Sequence, residues 1–203
     1  TGGAAAWQAG VRCVRAVREA IGPDVELMVD CHGRFGAAEA IAVAGDLADV
    51  GLLWLEEPVP ACQVDALAEI TAAMPVATAS GETLFGVQGF APFLCRRVVD
   101  VLMPDVKHDG GLFDTRVIAE AARLNGLSIA PHNPSGPVAT AATAQVGSTL
   151  PNLMFVEYAW GEANWRAELV DPPERIDSGY LIVPAGPGLG HRLNMPVVEA
   201  HRP

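Results

Sequence analysis

Positive charge is scarce in this sequence. Lys and Arg number 13 against 24 Asp and Glu in 203 residues, a formal net charge of −11. That balance argues against nucleic acid or an anionic membrane as the main partner, because both are held by basic surfaces. Long apolar runs are also missing, and none approaches the roughly 20 residues that cross a bilayer. The opening Thr1-Gly2-Gly3-Ala4 lacks an initiator Met. It also lacks a basic stretch followed by an apolar one, so it does not read as a signal peptide. Cysteine is sparse: Cys13, Cys31, Cys62 and Cys95 form no CxxC pair and no compact framework. This predicts reduced thiols and a cytoplasmic location. No Gly-rich phosphate fingerprint follows any predicted strand, so a dinucleotide is not expected.

What is present is a foldable chain. Half the residues are apolar and 18% are charged, which excludes a disordered polymer and allows a buried core. Short apolar runs alternate with Ala-rich stretches of helical period. Helices are predicted over 4–21, 37–50, 66–73, 88–97, 112–125 and 138–150. Strands are predicted over 25–30, 52–56, 76–79, 101–103, 127–130 and 153–157. This alternation predicts an α/β fold with a parallel sheet and helical crossovers. Gly, Pro and Trp accumulate after residue 157. There, 180–183 reads as a short strand and 186–190 as a tight turn.

The strand ends repeat. Asp30, Glu56, Glu82, Asp105, His132 and Glu157 follow one another at spacings of 26, 26, 23, 27 and 25 residues. So even a period marks a supersecondary repeat about the size of one βα unit. All six side chains then share the carboxyl-terminal edge of the sheet, where α/β enzymes place their chemistry. The even period favours a (β/α) barrel over a doubly wound sheet. A closed barrel needs eight strands, against the six counted. The chain is therefore expected to open inside a loop of a barrel, with two strands upstream. Residues 1–159 would be the barrel portion. Residues 160–203 would be a tail packed on it or on a second domain.

Asp30, Glu56 and Glu82 are the first candidate site. Three carboxylates on adjacent strand ends must protonate or bind a cation. Hard oxygen donors without sulfur suit Mg²⁺. Each acid alone reads more simply as a solvated loop residue or a cap. Glu57 adjoins Glu56, and the spacing selects Glu56. Asp105 and His132 are the second. A carboxylate on one ring nitrogen fixes the tautomer and raises the basicity of the other, making His132 a candidate general base. The competing reading is a buried structural histidine. His32, two residues past Asp30, is a candidate acid or a partner of the metal ligand. Arg34 can bind a substrate carboxylate or pair with Glu57. Lys107 and His108 line a pocket or belong to a loop. Glu157 is placed to hydrogen-bond an intermediate.

Five ordered segments carry a resemblance. Val29-Asp30-Cys31-His32-Gly33-Arg34, Trp54-Leu55-Glu56-Glu57-Pro58, Ser80-Gly81-Glu82, Met103-Pro104-Asp105 and Ala130-Pro131-His132 are similar to the enolase superfamily, in its mandelate racemase-like branch. The segment Pro184–Gly190 is similar to that family's closing stretch. The resemblance implies a TIM-like (β/α)7β barrel, present here without the N-terminal capping domain and the first two strands. It implies Asp30, Glu56 and Glu82 as Mg²⁺ ligands, Asp105 and His132 as the dyad, and Glu157 as the acid of the eighth strand. The Asp-x-His-Gly-Arg form resembles galactonate dehydratase-type acid-sugar dehydratases, in which that His, here His32, is the general acid. Arg34 and His108 are then expected to touch substrate. The expected reaction is dehydration of a sugar acid, through α-proton abstraction and loss of the β-hydroxyl, to a 2-keto-3-deoxy acid. An epimerase, racemase or cycloisomerase of the same superfamily is the alternative, and so is an inert fragment. The expected partner is a small sugar acid, with a homo-oligomer in the full-length form.

Overall fold

The computed structural model describes residues 4–202, with side chains from Trp7 onward. The expectation of a loop over residues 1–6 lies outside that range for 1–3, whereas 4–6 already belong to the first helix. Contacts divide the chain into two compact units, 1–84 with 89–102, and 85–88 with 103–203.

In the first unit, helix α1 spans Ala4–Ile21. Its end is set by Gly22, whose φ of 75° suits the left-handed position that closes a helix, with its N–H on the Arg18 carbonyl at 3.0 Å. Strand β1 (Leu27–Asp30), helix α2 (Ala37–Asp46), strand β2 (Leu52–Glu56), helix α3 (Val64–Ala73) and strand β3 (Thr78–Ser80) follow. Helix α4 (Gly86–Arg96) leads to strand β4 (Val101–Leu102). The four strands pair in parallel in the order β1-β2-β3-β4. The α/β alternation expected from the sequence is therefore present.

The core explains why these elements stay together. Val11 of α1 meets Val43 of α2 and Leu47 just past its end, with Trp7, Val14, Leu27 and Leu52 packed around them. Trp54 and Leu55 of β2 are buried, as suits a strand covered on both faces. Arg18 then ties the rim: its guanidinium donates to the carbonyls of Gly22, Val25, Val50 and Gly51.

In the second unit, helix α5 (Leu112–Leu124), strand β5 (Ser128–Ile129) and helix α6 (Pro137–Gly147) continue the alternation. Pro137 opens α6, where a missing N–H costs nothing. The sixth predicted strand, 153–157, shrinks to a single parallel bridge between Ile129 and Leu153. Ile129 donates to the Asn152 carbonyl and accepts from Met154 N–H. The next donor in that ladder would be residue 131, which is Pro131 and has no N–H. After the bridge come a 3₁₀ turn (Arg166–Glu168) and strand β6 (Val170–Asp171), which pairs with β9 (Arg192–Leu193). Strands β7 (Ile176–Asp177) and β8 (Tyr180–Leu181) form an antiparallel pair, and helix α7 (Met195–Ala200) ends the chain. The predicted turn closes with Gly190 N–H on the Pro187 carbonyl. No described helix is long and apolar enough to cross a membrane.

Candidate active site

Strand register builds the first cluster. An irregularity between Leu27 and Met28 shifts the β1–β2 pairing by one, which sets Asp30 opposite Glu56. Glu82 lies two residues past the end of β3. One carboxylate oxygen from each of the three lies within 4.8 Å of the others. Asp30 is exposed, Glu56 half-buried and Glu82 buried. Glu56 accepts a hydrogen bond from the Trp54 indole at 3.0 Å.

Glu57 turns away. It has a φ of 40° and is 3% exposed. Its carboxylate accepts from the Ser80 hydroxyl and, at 2.9 Å, from the Gly81 N–H. It thus fastens the turn that presents Glu82, a role the Glu-Glu pair did not disclose. The pairing of Arg34 with Glu57 considered from sequence gives way to this contact with the β3 turn. Gly33 explains the tight loop after β1. Its φ is 65°, and a Cβ there would lie 3.3 Å from the Pro60 backbone.

The donor set fits a hard divalent ion. Every candidate donor is a carboxylate oxygen, and the nearest sulfur does not compete. Cys31 is buried, and burial, with the charges of Asp30 and Glu56, pushes its thiol up to about 12, so it stays protonated.

His32 sits on the cluster's outer acid. Its Nδ1 is 2.8 Å from Asp30 Oδ2, and its backbone N–H donates to Asp30 Oδ1 at 2.7 Å. Its φ of 54° allows both contacts at once. The Asp30 hydrogen bond and charge, with Glu82 adding, raise the imidazole's pKa above its usual value. Arg34 and His32 line a cavity of about 490 Å³ with Trp7, Val14 and Phe35.

The dyad lies in the second unit. Asp105 is 1% exposed, and its Oδ2 is 2.9 Å from His132 Nδ1. Lys107 grips the same carboxylate twice, with its N–H on Oδ1 at 2.8 Å and its ammonium on Oδ2 at 3.2 Å. Burial pushes the Asp105 carboxyl up, but His132 and Lys107 outweigh it and hold it below its usual range. An ionised Asp105 only accepts hydrogen bonds, so Nδ1 carries the proton and Nε2 is the basic nitrogen. Lys107 therefore joins the dyad, an association the sequence left open.

Glu157 braces the loop after His132. Its Oε2 accepts from Asn133 N–H at 2.7 Å, and its carbonyl accepts from the Asn133 amide at 3.0 Å. The His108 ring lies 5.5 Å from that of Phe85. Asp109 was not singled out in the sequence, yet it is fully buried. Burial, with the charges of Asp105 and Asp114, drives its carboxyl up to about 6 against the hydrogen bonds of Thr115 and Gly111.

Residues 1–197 match the family described as enolase C-terminal domain-like. The chain belongs to that family. A D-xylonate dehydratase of Haloferax volcanii is 36% identical over 191 residues, covering 94% of this chain and 46% of the relative. A D-galactarolactone cycloisomerase of Agrobacterium fabrum is 34% identical, covering 95% of this chain and 53% of the relative. A solved mandelate racemase/muconate lactonizing enzyme-like protein from Rubrobacter xylanophilus superposes with a TM-score of 0.92 at 37% identity, covering 97% of this chain and 50% of that one. This enolase-family chain thus spans about half the length of the relatives it matches, and those relatives include dehydratases and a cycloisomerase of sugar acids.

Proposed function

We propose that this chain is the catalytic portion of an Mg²⁺-dependent sugar-acid dehydratase. Residues 1–159 supply strands three to eight of an enolase-type barrel, and 160–203 form a tail packed on it or on a capping domain. The whole enzyme is a cytoplasmic homo-oligomer acting on a small sugar acid. Asp30, Glu56 and Glu82 hold the metal. Bound there, Mg²⁺ supplies positive charge against the substrate carboxylate and against the charge that builds as the α-proton leaves. His132 takes that proton on Nε2 while Asp105 keeps the proton on Nδ1. His32 donates a proton to the departing β-hydroxyl, which leaves as water and yields an enol that tautomerises to the 2-keto-3-deoxy acid. Arg34 and His108 bind substrate oxygens, and Glu157 steadies the His132 loop.

The observation that carries the dehydratase reading is the His32 imidazole on Asp30. An imidazole held beside the acid cluster is placed to give a proton to a leaving hydroxyl, and an epimerisation has no leaving group to protonate. The test uses two variants of the full-length enzyme on a sugar-acid library. His132→Asn abolishes both 2-keto product and exchange of the α-proton with deuterium. His32→Asn abolishes product and leaves exchange. Unchanged 2-keto product from His32→Asn removes His32 as the acid, and α-proton exchange without 2-keto product in the parent enzyme shifts the reading to an isomerase, as in the 34% identical cycloisomerase. Failure of this chain to bind Mg²⁺ in calorimetry while folded leaves the inert-fragment reading.

A further inference from the structure

The residues on either side of His132 do little to fix themselves. Pro131 and Pro134 have no N–H to give. Asn133 Oδ1 and Ser135 Oγ are buried and have no hydrogen-bond partner. The Asn133 amide cannot be turned to relieve this. Its Nδ2 donates to Thr140 Oγ1 at 2.9 Å and to the Glu157 carbonyl at 3.0 Å, and an oxygen turned toward that carbonyl would be repelled. Glu157 holds the Asn133 end of the loop, and the Ser135 end needs a partner from elsewhere.

That partner comes from the tail. Arg166 is 13% exposed and Glu174 5%. They pair in a two-pronged fork, Nε to Oε2 at 2.8 Å and Nη2 to Oε1 at 2.9 Å. The Tyr158 ring covers the guanidinium at 4.5 Å, and its hydroxyl donates to Glu174 at 3.2 Å. Thus aimed, Arg166 donates through Nη1 to the Ser135 carbonyl at 2.5 Å and through Nη2 to Thr140 Oγ1 at 2.9 Å. Thr140 is fully used: it accepts from Arg166 and from Asn133, and it donates to the Gly136 carbonyl at 3.2 Å.

We infer that Arg166, aimed by Glu174 and Tyr158, is a positioning residue that sets the orientation of His132 through Ser135 and the Thr140–Asn133 contact. The inference deepens the proposed function and rests on its reading of His132 as the base. A Lys cannot replace Arg166, because one ammonium cannot reproduce a planar fork and two further donors at once.

The test uses full-length enzyme with Arg166→Lys, Arg166→Met and the pair Arg166→Met/Glu174→Gln. Arg166→Met alone strands a buried carboxylate and can fail to fold, and the paired variant removes that charge. Expected for the folded paired variant and for Arg166→Lys is a fall in kcat of about 10- to 100-fold with KM little changed. α-Proton exchange falls in step, and the His132 ring signals shift or broaden in NMR. Wild-type kcat and wild-type His132 signals in either variant overturn the inference. The two readings separate cleanly. If His132→Asn keeps turnover, the catalytic reading fails. Displaced His132 signals in the Arg166 variants still establish the positioning role in that case.

Discussion

The acid cluster and the histidine dyad are built by different means. Asp30, Glu56 and Glu82 are brought together by backbone, through the parallel register of β1 and β2 and the turn after β3. Asp30 is exposed, Glu56 is half-buried and only Glu82 is buried. Asp105 and His132 are held by side chains, with Lys107 on the carboxylate and Asn133, Glu157, Thr140 and Arg166 around the loop that follows. A cluster proposed to receive a hydrated ion tolerates openness. A base must keep one tautomer and one direction, and that takes a closed network.

The sharpest way to break the contrast is Asp105→Asn in the full-length enzyme. The amide no longer requires a proton on Nδ1, so the imidazole loses its defined tautomer. kcat for sugar-acid turnover is expected to fall about 10²- to 10⁴-fold, read by a 2-keto product assay, with Mg²⁺ affinity unchanged in calorimetry.

Next in size is a comparison inside the second unit. Asp105 and Asp109 are both buried, yet their carboxyls move in opposite directions. Asp105 faces a cation and a histidine, whereas Asp109 has only the Thr115 hydroxyl and the Gly111 N–H. A carboxyl raised to about 6 binds its proton in the folded state where the unfolded chain has already lost it. Stability therefore falls as pH rises from the usual carboxylate range through about 6, then levels. Asp109→Asn removes that loss. Thermal melts of this chain should show no gain for the variant near pH 4 and a gain of up to about 3 kcal/mol at pH 7. A gain that is the same at both values contradicts the burial account.

The smallest effect concerns the open cluster. Glu82→Gln removes one of three like charges. Without metal, its melting temperature should equal or exceed that of the parent, because repulsion is relieved. With Mg²⁺ the order reverses, since affinity falls by about 10- to 100-fold in calorimetry. A variant that binds Mg²⁺ as tightly as the parent removes Glu82 from the ligand set.

These differences decide what the sequence could disclose. A register-built site leaves a period, and the spacing of 26 was enough to select Glu56 over Glu57. The first five strands and their helices were legible for the same reason, with boundaries off by a few residues. A side-chain network leaves no period. Arg166 reaches Ser135 across 31 positions and Gln-, Asn- or Thr-type partners have no fixed spacing, so the tail read only as an appendage. The predicted sixth strand failed through its neighbour, because its own apolar run gives no sign that Pro131 withholds the donor it needs. Glu57 was passed over because a second glutamate beside a ligand looks redundant until its φ and its hold on Gly81 are seen.

Among the described residues outside glycine, only His32, Glu57, Arg97 and Ser178 adopt a left-handed backbone. Two of the four flank the acid cluster. That conformation costs a residue with a Cβ on the order of 1 kcal/mol, a cost that glycine does not bear. A glycine at position 32 would therefore relax the loop while deleting the proposed acid. The loop after β1 is a place where fold robustness and the proposed chemistry pull in opposite directions, and a stabilising screen blind to activity would select against the proposed acid there.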